Sequence, residues 1–349
     1  MNPESYFQSS HFVGLSAEDE AMQLFKASVS NVNIEISSYC NRKCQYCPIS
    51  KVDRFSTNKV LPEPVFDKIL SDLARIDYDR EVSLNLYNEP TADRELLLAR
   101  IAAIRKALPK STIYFSSNGD YLDREYLAAM VAAGLSKLYV TLHAPKGEPY
   151  QDKYVIQRFT EFSARLGKVI KVEAFSPQEH VRGTMRISGI EITVFSTNYD
   201  KLGSDRAGSV EKLTAIAAPR SAPCDRPFND FTVSYEGTIF PCCQMFADDE
   251  QHKKRYAIGN ISAFASIFEA YASKDMAAWR ASLVSFGPKA SPCNTCTEAD
   301  TCGTLQERTE RKRVEKKFLG GDSPAFPWSG SFQSGGLRKF VQGLRGVRD

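Results

Sequence analysis

Two kinds of apolar pattern take turns along this chain from residue 32 onward. Short runs rich in Val, Ile, Phe and Tyr are typical of buried strands, and longer runs with apolar residues on one helical face are typical of amphipathic helices. The strand-like runs lie at 32–38, 81–87, 112–117, 137–143, 169–175 and 189–196, and the helix-like runs at 62–75, 94–108, 123–134, 154–166 and 177–185. Such alternation predicts parallel strands with helices packed outside them.

The length of this repeating region limits the fold. Six strands within about 165 residues are too few for a closed eight-stranded barrel, which typically needs about 250. The pattern therefore predicts the α/β class, with a partial (β/α)6 TIM-like barrel over residues 31–210. A short amphipathic run at 17–28 predicts that residues 1–30 form an N-terminal cap on this barrel.

The rest of the chain, from residue 211 onward, has a different pattern. Two short strand-like runs flank a turn at 235–237, and a helix-like run at 264–283 follows. These features predict a small module over residues 211–304, built from a β-hairpin and a helix. Residues 305–349 begin with a charged helix and continue as a Gly/Ser/Pro-rich linker and a basic tail.

Composition adds expectations about location and partners. With 42% hydrophobic residues, 25% charged residues and a net charge of +3, the chain is ordinary for a globular protein, and we expect no nucleic-acid partner. It has neither an apolar run of membrane-spanning length nor a signal-peptide pattern, so we expect a cytoplasmic protein without a membrane partner. Nine cysteines in a reducing compartment indicate metal ligation rather than disulfides.

Three of these cysteines follow the first predicted strand with the spacing C-x3-C-x2-C. Cys40, Cys44 and Cys47 have no fourth cysteine nearby in the sequence. In a [4Fe–4S] cube each iron normally takes one cysteine, so three thiolates leave one iron open to a small molecule. A structural zinc loop with a distant fourth ligand is the alternative.

This loop resembles that of the radical S-adenosylmethionine (SAM) enzymes, and Tyr46 stands where that family has an aromatic residue. The resemblance implies that SAM chelates the open iron through its amino and carboxylate groups. Reduction of the cluster, with a flavodoxin- or ferredoxin-type donor, would cleave SAM to methionine and a 5′-deoxyadenosyl radical. That radical would take a hydrogen atom from the substrate.

The ends of later strands carry further candidate residues. Tyr-Asn-Glu-Pro at 87–90 resembles the family's G-G-E-P segment without its glycines, which makes Glu89 a candidate for binding the SAM ammonium group. Ser-Ser-Asn-Gly at 116–119 resembles the family's T-N-G turn, so Ser117 and Asn118 are candidates for the SAM or substrate pocket. Ordinary surface turns are the alternative at both places.

Two further candidates lie beyond the third strand. His143 follows the fourth strand and is a candidate contact to ribose or substrate, the alternative being a core histidine. Arg206 lies in an Arg-Ala-Gly segment that resembles one found before the C-terminal module of many family members. Its guanidinium is suited to a carboxylate, unless it is an exposed linker residue.

A second group of cysteines lies in the C-terminal region. The spacing C-x12-G-x4-C, followed by C-x2-C, resembles the SPASM and twitch modules of radical SAM enzymes, and a zinc ribbon is the alternative. The resemblance implies one auxiliary [4Fe–4S] cluster; its predicted ligands are Cys224, Cys242, Cys293 and Cys296, with Cys302 as an alternative ligand. Cys243 is a candidate hydrogen-atom donor, a replacement ligand or a buried thiol.

The resemblance as a whole implies a radical SAM oxidoreductase or epimerase. The expected substrate is a small natural-product intermediate such as an aminocyclitol, sugar or nucleoside, which undergoes dehydrogenation or epimerisation. One alternative is a maturase that modifies a ribosomally made peptide. The alternative of another class is a non-catalytic zinc or iron–sulfur scaffold.

Overall fold

The computed structural model describes residues 6–145, 148–210, 219–297 and 304–320. Its strands are β1 Asn31–Ile34, β2 Glu81–Ser83, β3 Thr112–Ser117, β4 Lys137–Thr141, β5 Lys171–Ser176, β6 His180–Ile187, β7 Ile190–Thr197, β8 Asp230–Val233, β9 Thr238–Phe240 and β10 Gly259–Asn260. Its helices are α1 Glu18–Ser28, α2 Glu63–Arg75, α3 Arg94–Ala107, α4 Arg124–Ala133, α5 Asp152–Leu166, α6 Tyr199–Leu202, α7 Arg226–Asn229, α8 Glu250–Tyr256, α9 Ile267–Tyr271, α10 Lys274–Leu283 and α11 Leu305–Leu319.

All ten strands belong to one sheet in the order β10-β9-β8-β1-β2-β3-β4-β7-β6-β5. The six central strands, from β8 to β7, are parallel. Helices α2, α3 and α4 make the crossovers from β1 to β4, and Asp93 and Asp123 cap the last two of these helices. This parallel core with external helices confirms the predicted α/β fold class.

The prediction of a helix at 177–185 is wrong. That segment is mostly β6, which pairs antiparallel with both β5 and β7, so the last part of the barrel region is a three-stranded meander. The buried residues Val181, Met185 and Ile187 fall at alternate positions between exposed arginines, which is the period of a strand. The turn before β7 has positive φ at Ser188 and Gly189, as a two-residue hairpin requires.

The C-terminal region supplies a strand to the barrel. The hairpin predicted at 230–240 is present as β8 and β9, and β8 also pairs in parallel with β1, with Asp230 opposite Asn31. This pairing places the hairpin turn at the same edge of the sheet as the loop that follows β1, and the antiparallel strand β9 returns the chain toward the opposite edge, where Cys242 follows it. The exact boundaries of the predicted domains stay a prediction.

The other predicted helices are present with small changes. Helix α1 packs Phe25 against Phe231, Phe268 and Tyr271. The long helix predicted at 264–283 is two helices, α9 and α10, because the Ser273 side chain caps a new helix at that point. The predicted linker and basic tail lie mostly outside the described residues.

Within the part of the chain that the structure describes, no helix is long and apolar enough to cross a membrane.

Candidate active site

The three-cysteine loop lies at the carboxyl end of β1, where parallel barrels place their reactive groups. The loop turns back on itself, with the Cys47 backbone N–H donating to the Cys44 carbonyl at 2.9 Å. As a result Cys40, Cys44 and Cys47 all line one cavity of about 340 Å³. The structure therefore brings the three predicted ligands together.

These thiols are poorly solvated. Burial raises the pKa of Cys40 to about 12 and that of Cys47 to about 11, and it raises the pKa of Cys44 as well. A thiol loses its proton when it binds a metal, and the cation then compensates the charge of the thiolate. Poorly solvated thiols are therefore suited to binding a cation, and they are poorly suited to carrying an uncompensated negative charge. The donor set fits a cluster with three cysteine ligands and one open iron.

The cysteine loop is fixed by an ion-pair network that the sequence analysis missed. Arg42 binds Asp120 through two bonds, Nε to Oδ2 at 2.7 Å and Nη2 to Oδ1 at 2.6 Å. Asn41 donates to the same carboxylate at 2.9 Å, and Arg158 donates to it at 3.2 Å. Asn118 donates to Asn41 at 2.7 Å, so the turn after β3 holds the loop in place.

Glu89 joins the end of β2 to the end of β3. Its Oε1 accepts hydrogen bonds from the Thr91 backbone at 3.1 Å and the Ser117 hydroxyl at 2.8 Å, and its Oε2 accepts from the Asn118 backbone at 2.6 Å. Burial raises the pKa of this carboxyl group, and the hydrogen bonds oppose that shift. Glu89 and Asn118 line the cavity, whereas Ser117 lies behind Glu89 and supports it. A second lone pair on Oε2 leaves the carboxylate able to accept from a ligand.

One side of the cavity is aromatic. The Tyr46 hydroxyl lies 2.6 Å from His143 Nδ1, and its ring stacks on Tyr199 with centroids 4.3 Å apart. Burial, followed by the nearby Arg42 charge, lowers the pKa of His143 to about 3, so the imidazole is neutral. Tyr199, on the short helix α6, is a further residue that the sequence analysis did not identify. All three rings face the cavity.

Arg206 is held in the cavity wall by an unusual backbone conformation. Arg206, Ala207 and Gly208 have successive positive φ values of 51, 56 and 87°. His252 lies 2.9 Å from the Ala207 carbonyl through Nε2, and its Nδ1 accepts from the Phe246 backbone. The Arg206 Nη1 donates to Gln244 Oε1 at 2.9 Å. The arginine therefore faces the cavity rather than solvent, as a site residue must.

The strands that form the deeper wall of the cavity alternate in polarity. Their outward-facing residues, such as Val32, Val82 and Ile113, belong to the apolar core under the helices. Their other face lines the cavity with amide and hydroxyl groups, from Asn31, Asn33, Ser83, Asn85, Tyr114 and Ser116. The interior of a TIM barrel is normally filled with branched apolar residues, so this polar lining is suited to a polar ligand.

The second predicted cysteine group lines a separate and mostly apolar cavity. Four thiols face it, those of Cys224, Cys242, Cys293 and Cys296. Among the described residues, no three His, Cys, Asp or Glu side chains converge as a single metal ion requires. The four thiols instead surround a space, which fits a cube that bonds each cysteine to a different iron. Cys302 lies outside the described residues.

Cys243 faces the first cavity, although its neighbour Cys242 faces the second. Its Sγ accepts a hydrogen bond from Arg226 Nη1 at 3.3 Å, and the same nitrogen lies 3.1 Å from Asp230 Oδ2. Arg226 and Gln244 line both cavities. The two cavities therefore share a wall only a few side chains thick.

Comparison with known families agrees with this geometry. Residues 34–172 match the family model described as the Radical SAM superfamily, and residues 224–297 match that of an iron–sulfur cluster-binding domain, SPASM. The chain belongs to the radical SAM superfamily. Each match contains one of the two cysteine groups, so the SPASM match favours iron–sulfur ligation over a zinc ribbon.

Two known proteins align with most of this radical SAM chain, one by sequence and one by structure. The S-adenosyl-L-methionine-dependent 2-deoxy-scyllo-inosamine dehydrogenase of Niallia circulans is 23% identical over 232 residues, which are 66% of this chain and 78% of that protein. The crystal structure of BtrN in complex with AdoMet and 2-DOIA has a TM-score of 0.52 and 19% identity, covering 81% of this chain and 96% of that one. The structural match shows a shared fold.

The family assignment confirms the predicted enzyme class and cofactors. A radical SAM enzyme with a SPASM module uses SAM, a SAM-binding [4Fe–4S] cluster and auxiliary iron–sulfur ligation. Which residues bind each group stays a prediction.

The polar lining of the radical SAM barrel was detectable in the sequence. Asn31 and Asn33, Ser83 and Asn85, and Tyr114 and Ser116 are spaced two apart in or beside predicted parallel strands. Such strands are usually apolar on both faces, so regular polar positions within them indicate an occupied interior.

Proposed function

We propose that this enzyme oxidises a secondary alcohol of a small polyhydroxylated ring to a ketone, and that the ring is an aminocyclitol. The main support for this proposal is the polar barrel interior, because its amide and hydroxyl groups match the hydrogen-bonding groups of such a ring. The Niallia circulans relative, whose name describes a dehydrogenase of 2-deoxy-scyllo-inosamine, supports the same substrate class.

The cofactors and the chain divide the work. The bound SAM and its cluster supply a radical that removes a hydrogen atom, and the auxiliary cluster supplies an acceptor for the electron that the substrate then releases. We assign Cys40, Cys44 and Cys47 to the first cluster. We assign Cys224, Cys242, Cys293 and Cys296 to the second.

The residues around the first cluster orient SAM. Glu89 has a free acceptor position for the ammonium group, with Asn118 beside it. Tyr46 and the neutral His143 offer an aromatic wall to adenine and ribose. Arg206 provides a positive charge for a carboxylate.

The residues of the deeper wall bind and orient the substrate. Asn31 and Asn33 lie on β1, and the Tyr114 hydroxyl donates a hydrogen bond to Asn31 Oδ1 at 3.1 Å. These side chains hold each other in place, so they present fixed donors and acceptors to a rigid ring. The cavity volume of about 340 Å³ is in the range of small-molecule sites, which is less suited to a folded peptide.

Two finer assignments complete the proposal. A flavodoxin- or ferredoxin-type protein provides the electron that starts the reaction. The enzyme works in the cytoplasm, where reducing conditions keep nine cysteines available for iron.

The test starts with anaerobic reconstitution of the purified chain with iron and sulfide. We expect about eight irons per chain, from two cubane clusters. With SAM, dithionite and 2-deoxy-scyllo-inosamine, chromatography should show 5′-deoxyadenosine and a ketone in equal amounts, and Cys40→Ala should form neither. Full cluster loading and SAM cleavage without a ketone from any aminocyclitol would contradict the proposed substrate class.

Epimerisation is the second candidate function, because Cys243 faces the same cavity as the proposed substrate. In that reaction a thiol returns a hydrogen atom to the opposite face of the substrate carbon, so the product has no ketone. In deuterium oxide an epimerase would place deuterium on that carbon, and Cys243→Ser would prevent this. A dehydrogenase would form a ketone whether or not the thiol is present.

A further inference from the structure

The auxiliary cavity is positively charged. Besides the four thiols its wall contains two guanidinium groups, from Arg220 and Arg226, and otherwise mainly Pro, Met, Leu and Trp side chains. Among the described residues that line it, none is Asp or Glu. Charges in such an apolar, poorly solvated space act more strongly than they would in water.

Arg220 lies between Cys224 and the turn that carries Cys293 and Cys296. Its backbone N–H donates to the Asn294 carbonyl at 2.8 Å, inside the turn between Cys293 and Cys296. Its side chain is buried and donates to the carbonyls of residues 222 and 223, immediately before Cys224. The guanidinium interacts electrostatically with the thiols of Cys224, Cys293 and Cys296.

Lys289 adds a second buried positive charge. Its Nζ donates to the carbonyls of Ser282 and Ser285, and its backbone N–H donates to the Arg220 carbonyl at 3.2 Å. Both Cys293 and Cys224 interact electrostatically with this ammonium group. The carboxylate of Glu315 also interacts electrostatically with this ammonium group.

Arg226 is different from these two residues. Its guanidinium forms an ion pair with Asp230 at 3.1 Å, so much of its charge is offset. Arg220 and Lys289 instead donate hydrogen bonds to neutral carbonyl groups, and Arg220 also bonds to the Cys224 thiol. Their charges therefore act on whatever occupies the cavity.

A cubane with four thiolates has a net charge of −2 when oxidised and −3 when reduced. Nearby positive charges stabilise the more negative state, and the reduction potential of a cluster depends on such charge and on its exposure. We propose that Arg220 and Lys289 raise the reduction potential of the auxiliary cluster and so make it an electron acceptor. The role of the cluster as an electron acceptor rests on the proposed function, whereas its reduction potential does not depend on the substrate.

The electrons and protons of this step balance. After loss of its hydrogen atom, the substrate radical at the alcohol carbon gives up one electron and the hydroxyl proton, and a C=O bond forms. The electron reduces the cluster from [4Fe–4S]²⁺ to [4Fe–4S]⁺. An oxidised flavodoxin- or ferredoxin-type protein then removes that electron before the next turnover.

The test compares variants that differ in charge. Arg220→Gln and Lys289→Gln remove one charge each and keep hydrogen-bonding groups, whereas Arg220→Lys keeps the charge. All three are made in a Cys40→Ala background, which leaves the auxiliary cluster as the only signal in a potentiometric titration followed by electron paramagnetic resonance.

We expect each Gln variant to make reduction of the auxiliary cluster at least tenfold less favourable, which is about 59 mV for a one-electron couple. Arg220→Lys should remain close to the reference protein. Iron content is measured for every sample, so that only fully loaded protein is compared.

Two results would overturn the inference. One is an unchanged potential in both Gln variants at full iron content. The other is failure of both Gln variants, but not of Arg220→Lys, to hold the cluster, since the charges would then serve assembly rather than redox tuning. Neither result involves substrate, so a wrong substrate class leaves this test intact.

Discussion

At the scale of single residues, the site depends on side chains that hold the ligand-binding groups in place. Asp120 shows this, because it fixes the cysteine loop through Arg42 and Asn41 while itself belonging to the turn after β3. Sequence patterns identified the cysteines, whose spacing is local. They did not identify Asp120, because its partners lie 78 and 79 residues away and only the fold brings them together.

Glu89 provides a prediction at this scale. In Glu89→Gln the side-chain NH2 group replaces one acceptor, so a buried donor such as the Asn118 backbone N–H loses its partner. Hydrogen bonds to a charged group contribute about 1.5–3 kcal/mol each, and we expect the free energy of unfolding to fall by about that amount. Urea denaturation of the cluster-free protein measures this loss.

The matched control is Glu125→Gln. Glu125 pairs with Arg94 at the surface and is 88% exposed, so its substitution should change the stability by less than about 0.5 kcal/mol. SAM affinity, measured by calorimetry on reconstituted protein, should fall only for Glu89→Gln. Equal stability of the two variants would show that the Glu89 carboxylate does not join the two strands.

At the scale of elements, the sequence predicted whether a segment is a helix or a strand better than it predicted which strands pair. Helices α2 to α5 have clear apolar faces and were predicted within a few residues. The pattern at 177–185 was interpreted as a helix, although Val181, Met185 and Ile187 are buried on one face of a strand. The pairing of β8 with β1 was not predictable, because it joins segments about 200 residues apart by packing rather than by any local pattern.

Arg54 connects two of these elements. Its guanidinium bonds to Glu35 after β1 at 2.7 Å and to Asp248 of the C-terminal region at 2.6 Å, and it lies over the ring of Phe246. In Arg54→Met the fully buried Glu35 loses its cation. Removing one partner of a buried ion pair costs about 3–5 kcal/mol, so we expect a loss of unfolding free energy of that size.

The control for Arg54 is Arg186→Met. Arg186 pairs with Glu191 at 3.9 Å, and the two side chains are 74% and 53% exposed, so this change should cost no more than about 1 kcal/mol. Guanidinium denaturation of both cluster-free variants provides the comparison. Similar losses in the two proteins would mean that Arg54 does not link the barrel to the C-terminal region.

His11 gives the N-terminal segment a pH dependence. Its Nδ1 accepts from the Gln8 backbone at 3.0 Å, its Nε2 lies 2.8 Å from the Ser28 hydroxyl, and burial, followed by the Arg280 charge, lowers its pKa to about 3. Below about pH 6.5 the unfolded chain therefore binds a proton that the folded chain does not, and stability falls as the pH decreases toward 3.

This histidine should account for about 2 kcal/mol of the stability lost between pH 7 and pH 5. Denaturation series at both pH values should show a smaller loss for His11→Gln. His180→Gln is the control, because that ring is partly exposed on β6. A pH dependence that is the same in wild type and His11→Gln would contradict a neutral His11 in the folded state.

At the scale of the whole molecule, the two cavities are arranged in series. We propose that SAM binds at the first cysteine group and that the substrate binds between SAM and the wall formed by Arg226, Cys243 and Gln244. The auxiliary cysteines lie behind that wall. Under this proposal a hydrogen atom would leave the substrate on one side and an electron would leave it on the other.

Cys293→Ala separates these two events. The variant loses one auxiliary ligand and keeps Cys40, Cys44 and Cys47, so its iron content should fall from about eight to about four per chain. We expect 5′-deoxyadenosine to form still, because hydrogen abstraction needs only the first cluster. Ketone formation should fall at least about tenfold, since the substrate radical lacks its electron acceptor. Ketone at the wild-type rate in this variant would show that the electron leaves by another route, and the auxiliary cavity would then have a structural role.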